Sequence, residues 1–546
     1  MSDVCAREDS GARNGDADAS EPDGGARKIS RRELVLGAAA SVMSVRAACR
    51  AEVPSSATAP ERAPRPPGLA QAKAGRELLD LSAVDAVDAM KSGALTAERY
   101  AETLLERCAR LKALNAFITQ EPSLVLEQAR EADRRRASGA ALGPLHGLPI
   151  PVKDSLNTAQ YATSGGTPGL RGFRPPADAP LVATLRAAGA IVLGKTNLHE
   201  LSYGWTSNNL AFGAVHNPYD PTRIPGGSSG GTAVAISTHM APLGIAEDTE
   251  GSIRVPAALC GVMGFRPTTR RYSTVGAIPA CSLFDQTGPE ARSVADIALF
   301  DRVASGDMRA IDALPLKGVR FCVWSGYWFE GLDPEVERIT RQAIASLRAA
   351  GVEIVEAEVP GLRDLLAHTA DSIVDHDVRL ELAHYLAVNG ANLSFDELIA
   401  RASPDIRAIF SHEVMLGSPG FVSEATYETA VKVYLPRLRR TFKDYFAKTG
   451  AAAILFPTTL VTAPRIGDEG ELTVGQRKMS FDVAIGRNIA PGSRTGLPGL
   501  VIPTGIAADG LPVSMEFDGP AGTDRTLLGL GLSLERVLGH VRPPPV

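Results

Sequence analysis

Along residues 178–197 the chain reads DAPLVATLRAAGAIVLGKTN, and its apolar positions change period partway through. Leu181, Leu185 and Ala188 recur at helical spacing, Gly189 stops the helix, and Ala190–Leu193 run on without a polar break. The segment predicts an amphipathic helix followed by a buried strand. Residues 333–359, DPEVERITRQAIASLRAAGVEIVEAEV, repeat the arrangement. Asp333 is placed to cap, Pro334 takes the first helical position, and Val336, Ile339, Ala343 and Leu347 share the inner face. Gly351 then precedes a strand over Val352–Val355. VRFCVWSG (319–326) and AAAILFPTT (451–459) read as buried strands, and residues 499–519, GLVIPTGIAADGLPVSMEFDG, as a β-hairpin turning at Asp509-Gly510.

Strands that alternate with helices imply an α/β fold, a mixed and partly parallel sheet with helices on both faces. Length alone would suggest three or four domains. From residue 77 to residue 546, however, there is no low-complexity linker and no internal repeat, so the reading is one large domain. Residues 360–450 depart from the alternation: their patterns are helical without intervening strands, which predicts a helical insertion or cap over the sheet.

The first 76 residues differ in kind. Residues 1–28 carry little apolar surface to pack and read as a disordered tract. Residues 29–50 place Arg31 and Arg32 ahead of an apolar run too short to span a bilayer, the layout of a twin-arginine export signal. Residues 51–76 are a Pro/Ala-rich linker. The expectation is a periplasmic or exported protein; the alternative is a basic N-terminal helix on a cytoplasmic one.

Composition narrows the classes. The chain is 44% apolar with net charge −5, ordinary for a globular protein and without the basic excess of a nucleic-acid surface. No apolar stretch beyond residue 50 is long enough to span a bilayer, so no stable membrane insertion is expected. Cys108, Cys260, Cys281 and Cys322 lack metal-ligand or C-x-x-C spacing and read as small buried hydrophobes. No metal and no cofactor are expected. Nothing in the sequence requires a partner, and a homodimer is left open.

Three segments concentrate Gly, Ser and Lys: GLPIPVKDSLNT with Lys153, IPGGSSGGTA over 224–233, and EDTEGSIRVPAALCG over 247–261. Gly226-x-Ser228-x-Gly230 satisfies the nucleophile-elbow pattern, but TRIPGG is not the hydrophobic strand that such an elbow needs. It also lacks the Gly-Lys-Ser/Thr ending of a phosphate loop. Ser252 follows Gly251 as a reactive serine at a tight turn would, yet no histidine lies between His239 and His368 to take its proton.

GLPIPVKD, GKTNLHELSYG, PGGSSGGTAVA and DTEGSIRVPAALCGVMGFRPT occur in this order, and together they resemble the signature of the amidase signature family. The resemblance runs from about residue 77 to residue 540 and takes in GLPGLVIPTG and DGLPVSMEFDG. It implies a Ser-Ser-Lys triad: Ser252 the nucleophile, Ser228 the bridging serine and Lys153 the base. The family's spacing between the two serines selects Ser228 over Ser229. It also implies an oxyanion hole from the backbone N–H groups of Thr249, Glu250, Gly251 and Ser252, with Ser202 a candidate substrate contact.

The chemistry is consistent with that pattern. A lysine is a base only when neutral, and burial disfavours the ammonium by as much as ~3–5 pKa units. A serine hydroxyl both donates and accepts, so it can relay a proton. The family usually has glycine where this chain has Glu250; the side chain there is expected either to turn outward and pair with an arginine or to reach into the pocket. Asp248 and Arg254 are expected to be structural, and His199, His216 and His239 to be packed or surface residues. Within the family, residues 274–307 and 494–524 look most like hydrolases of primary arylacetic-type amides. The expected substrates are a small amide and water, with the amidotransferase A subunit, a carbamate or ester hydrolase, or an inactive binding protein as alternatives.

Overall fold

The computed structural model describes residues 75–369 and 371–546. The disordered tract, the export signal and the linker up to residue 74 lie outside them; Gly75 and Arg76, read as the end of the linker, instead open a short helix, Gly75–Leu79. No helix among the described residues is long and apolar enough to cross a membrane.

The core is an eleven-stranded mixed sheet. Its strands in chain order are β1 (Phe117–Thr119), β2 (Pro149–Lys153), β3 (Ile191–Thr196), β4 (Leu243–Asp248), β5 (Met263–Arg266), β6 (Gln286–Ala291), β7 (Arg320–Val323), β8 (Glu353–Glu356), β9 (Ala453–Pro457), β10 (Gly499–Ile506) and β11 (Pro512–Asp518). They lie side by side as β1-β3-β2-β4-β6-β5-β10-β11-β9-β7-β8. β3, β2 and β4 are parallel, as are β9, β7 and β8; the other pairings are antiparallel.

The helices used below are α1 (Pro180–Ala187), α2 (Gly230–Ser237), α3 (Arg254–Leu259), α4 (Pro334–Ala349) and α5 (Ala490–Thr495). α1 buries Leu181, Val182 and Leu185 and hands the chain to β3. The Asp333 side chain accepts from the amides of Glu335 and Val336, with Pro334 in the first turn of α4. The hairpin β10–β11 turns through Asp509-Gly510, where Gly510 has φ +85°. β3 extends past the apolar run to Thr196, because Lys195 and Thr196 are buried with it.

The described residues between 362 and 449 hold helices and no strand. Leu382, Leu398, Ile406 and Phe410 from this segment form a second apolar cluster with Leu170, Leu201 and Ile278 from loops of the main body. Each fully buried side chain of this size contributes about 1.5–3 kcal/mol. Polar contacts fix the register of the two: Tyr385 donates to Asn157 at 2.6 Å, and Glu200 accepts from the Ser403 amide at 3.2 Å. All four expected cysteines are buried and unpaired.

Candidate active site

Parallel strands present their carboxyl ends on one side of a sheet, and in α/β proteins ligands bind there. β2 and β4 are such a pair, with Val152 opposite Ile245. Their ends bring Lys153 beside Glu247. Every residue of both strands is buried, so a lysine and two acids, Glu247 and Asp248, end up where no water compensates them.

The serines arrive on turns ahead of two short helices. Ser228 precedes α2, and Ser252 precedes α3. Gly226 is at φ +85°, and a Cβ there would meet the Pro256 backbone at 2.8 Å. Gly251 is at φ +125°, where a Cβ would lie 2.0 Å from Ile489. Only glycine permits that close approach. The Ser229 amide donates to the Ser252 carbonyl at 3.2 Å, which holds the two turns together.

Lys153 Nζ lies 2.6 Å from Ser228 Oγ, both residues being fully buried. It also donates to Glu247 Oε2 at 2.8 Å, a contact absent from the sequence-based expectation. Glu247 in turn accepts from Ser202 at 3.0 Å, so the residue expected to touch substrate is engaged with the carboxylate that holds the lysine. Ser252 is buried, and its hydroxyl makes no hydrogen bond to any described residue.

The four expected oxyanion donors are not equivalent. The Gly251 amide donates to Asp248 Oδ1 at 2.7 Å, which commits it to the turn and corrects the four-donor expectation. The amides of Thr249, Glu250 and Ser252 have no acceptor among the described residues. Three donors therefore remain for a developing charge, each worth ~2.7–4 kcal/mol in sites where this has been measured.

Asp248 sits between two buried guanidinium groups: Arg254 Nε at 3.0 Å and Arg266 Nη1 at 2.7 Å. Burial alone would raise its carboxyl, but Arg254 and Arg266 hold it well below the usual range. Arg254 also reaches Glu516 at 2.7 Å. These charges knit the nucleophile turn to β5, α5 and β11, the structural role expected of Asp248 and Arg254. Asp285 accepts from Thr249 at 2.7 Å and is pushed up to about 8 by burial and by the nearby Glu247. His199 is buried against Thr206 and pushed down to about 4 by burial, while His216 and His239 lie towards the surface.

Glu250 does pair with an arginine, Arg494 Nε at 2.7 Å, but without turning outward. It lines a cavity of about 370 Å³ with Trp205, Tyr327, Leu366 and Ala490. Among the described residues no group of three or more His, Cys, Asp or Glu is arranged to hold a metal ion. Glu247 had one sequence signal: an apolar strand, LGIAED, that ends in two acids must bury at least one of them against a cation.

A family model described as Amidase matches residues 99–528. The chain is 38% identical over 447 residues to an indoleacetamide hydrolase of Agrobacterium vitis, covering 82% of this chain and 94% of the relative. It is 34% identical over 480 residues to a mandelamide hydrolase of Pseudomonas putida, covering 86% and 93%. Native peptide amidase from Stenotrophomonas maltophilia superposes with a TM-score of 0.71 at 30% identity, over 85% of this chain and 98% of that one. With a signature that fills most of its length and with the same α/β sheet, this chain belongs to the amidase family.

Proposed function

We propose that the protein hydrolyses small primary carboxamides of the arylacetamide type to the carboxylate and ammonia, through an acyl-enzyme on Ser252. The observation that carries the reading is the buried 2.6 Å contact between Lys153 Nζ and Ser228 Oγ, on a turn tied to that of Ser252. Ser252 Oγ attacks the amide carbon while its proton passes to Ser228, whose own proton passes to the neutral Lys153 amine. The tetrahedral oxygen takes up its charge among the free amides of Thr249, Glu250 and Ser252. Collapse breaks the C–N bond, and Lys153 returns the proton through Ser228 to the departing nitrogen. Water then repeats the sequence on the ester and frees Ser252.

The cavity beside Glu250 supports an aromatic acyl group, because Trp205, Leu366 and Ala490 line it with apolar surface. The relatives' names point to aryl-bearing amides as well. Ammonia release from mandelamide, indoleacetamide, phenylacetamide and a short aliphatic amide tests the reading. The aryl amides are expected to be turned over by the wild type and not by Ser252→Ala; product from none of them would remove the substrate assignment. We also propose export through the Arg31-Arg32 segment, which cell fractionation with and without Arg31→Lys and Arg32→Lys would test.

A further inference from the structure

Lys153 has three acceptors around its nitrogen, and two of them belong to one residue. Ser228 Oγ lies at 2.6 Å, Glu247 Oε2 at 2.8 Å and the Glu247 main-chain carbonyl at 3.4 Å. An ammonium has three hydrogens to give to these acceptors. A neutral amine has two hydrogens and one lone pair. It takes a proton from Ser228 only if the lone pair, and not an N–H, faces that hydroxyl. The carboxylate and the carbonyl of Glu247 accept the two hydrogens, and one direction is left.

We propose that Glu247 is the positioning residue of the lysine base: it aims the amine's lone pair at Ser228, and its negative charge sets the pH above which that lone pair exists. The inference rests on the reading of Lys153 as the base.

Glu247 is itself held in place by hydroxyls. Ser202 donates to Oε2 at 3.0 Å, and the Thr249 hydroxyl lies 3.1 Å from Oε1. Asp285 Oδ2 accepts from the amides of Ala280 and Cys281, and its Oδ1 accepts from the Thr249 hydroxyl at 2.7 Å. The Thr249 hydroxyl thus lies between the Glu247 and Asp285 carboxyls. The other charged groups around the pair are accounted for. Burial pushes the Glu290 carboxyl well above the usual carboxylate range and His199 down to about 4. Asp248 is matched by Arg254 and Arg266, and Lys195 by Asp154 at 3.1 Å. Among the described residues Glu247 is the one carboxylate bonded to Lys153.

The sign follows. Burial favours the neutral amine, whereas a carboxylate at 2.8 Å favours the ammonium, so removal of the charge exposes the lone pair at lower pH. The test follows the rate at which a fluorophosphonate labels Ser252, read by intact mass across acidic to alkaline pH. This readout needs no particular amide. If Lys153→Ala labels at the wild-type rate, the base assignment has failed, and the experiment on Glu247 is not what decided it. For Glu247→Gln, which keeps an acceptor oxygen but no charge, the acid limb is expected to move to lower pH by about one unit or more, the plateau staying within about threefold. Glu247→Ala loses the aim as well, and its plateau is expected to fall about tenfold or further. Glu247→Asp keeps the charge and is expected to keep the acid limb. It decides the matter if the Gln variant melts early. A Gln profile superimposed on the wild type, or an Asp profile displaced to lower pH, would overturn the proposal.

Discussion

Two lysines are buried side by side on neighbouring strands, and only one of them is placed to do chemistry. Lys195 on β3 donates to Thr163 Oγ1 at 2.7 Å, to the Leu156 carbonyl at 2.8 Å and to Asp154 at 3.1 Å. Lys153 on β2 likewise has a hydroxyl, a carbonyl and a carboxylate. Both are fully buried and both are paired with an acid. What differs is where the hydroxyl leads. Thr163 passes its own proton to the Leu156 carbonyl, a dead end within the loop after β2. Ser228 sits on the turn tied to Ser252. Burial and a carboxylate are therefore not enough to make a lysine a base. The acceptor must itself be able to take a proton from a nucleophile.

The comparison breaks most sharply at Lys153. Lys153→Ala is expected to lower kcat/KM for an aryl amide by about 10³-fold or more, and Ser228→Ala by about 10²-fold or more. Because the first variant leaves Glu247 without its cation, rates must be expressed per folded molecule. Lys195→Met is expected to do the opposite. It leaves the buried Asp154 without its cation, with only Ser164 among the described residues still donating to it, and costs about 3–5 kcal/mol in denaturant unfolding, with activity per folded molecule within about threefold. A Lys195→Met enzyme that folds normally and is inactive would erase the distinction.

Glu250→Gly probes the oxyanion turn beside this pair. The backbone donor survives the change, so measurable amidase activity is expected, with a change in KM from the altered cavity wall. Complete loss of activity with the fold intact would mean that the carboxylate takes part in the chemistry.

The smallest effect concerns Asp285. Its folded carboxyl titrates at about 8, far above an ordinary aspartate, so the folded state holds a proton that the unfolded chain has already lost. That contribution to stability is complete below the unfolded value and is lost as the pH rises through about 8. Asp285→Asn, which mimics the protonated group, is expected to flatten the decline in unfolding free energy over that range. An unchanged slope would show that Asp285 is not its source.

Local pattern carried much of the architecture. The Asp333-Pro334 start of α4, the α1–β3 step at Gly189 and the Asp509-Gly510 hairpin depend on residues near one another in the chain, where period and turn chemistry act directly. The assignment of Lys153, Ser228 and Ser252 came from the resemblance of the ordered glycine-rich segments to the amidase signature, and the structure brings Lys153 and Ser228 into contact. The Glu247 contact was not legible in the sequence. It depends on the parallel register of Val152 with Ile245, between strands some ninety residues apart, which no local period encodes. Nor was the loss of the Gly251 amide to Asp248, because it follows from how the two arginines hold that carboxylate. The end of β3 was missed because Lys195 and Thr196 look like loop residues until their buried partners are seen.

The most direct measurement is the rate at which a fluorophosphonate modifies the protein near neutral pH, read by intact mass. A single adduct on Ser252 is expected in the wild type and in Lys195→Met, slowed by about 10²-fold or more in Lys153→Ala and absent in Ser252→Ala. Labelling of Lys153→Ala at the wild-type rate would contradict the account.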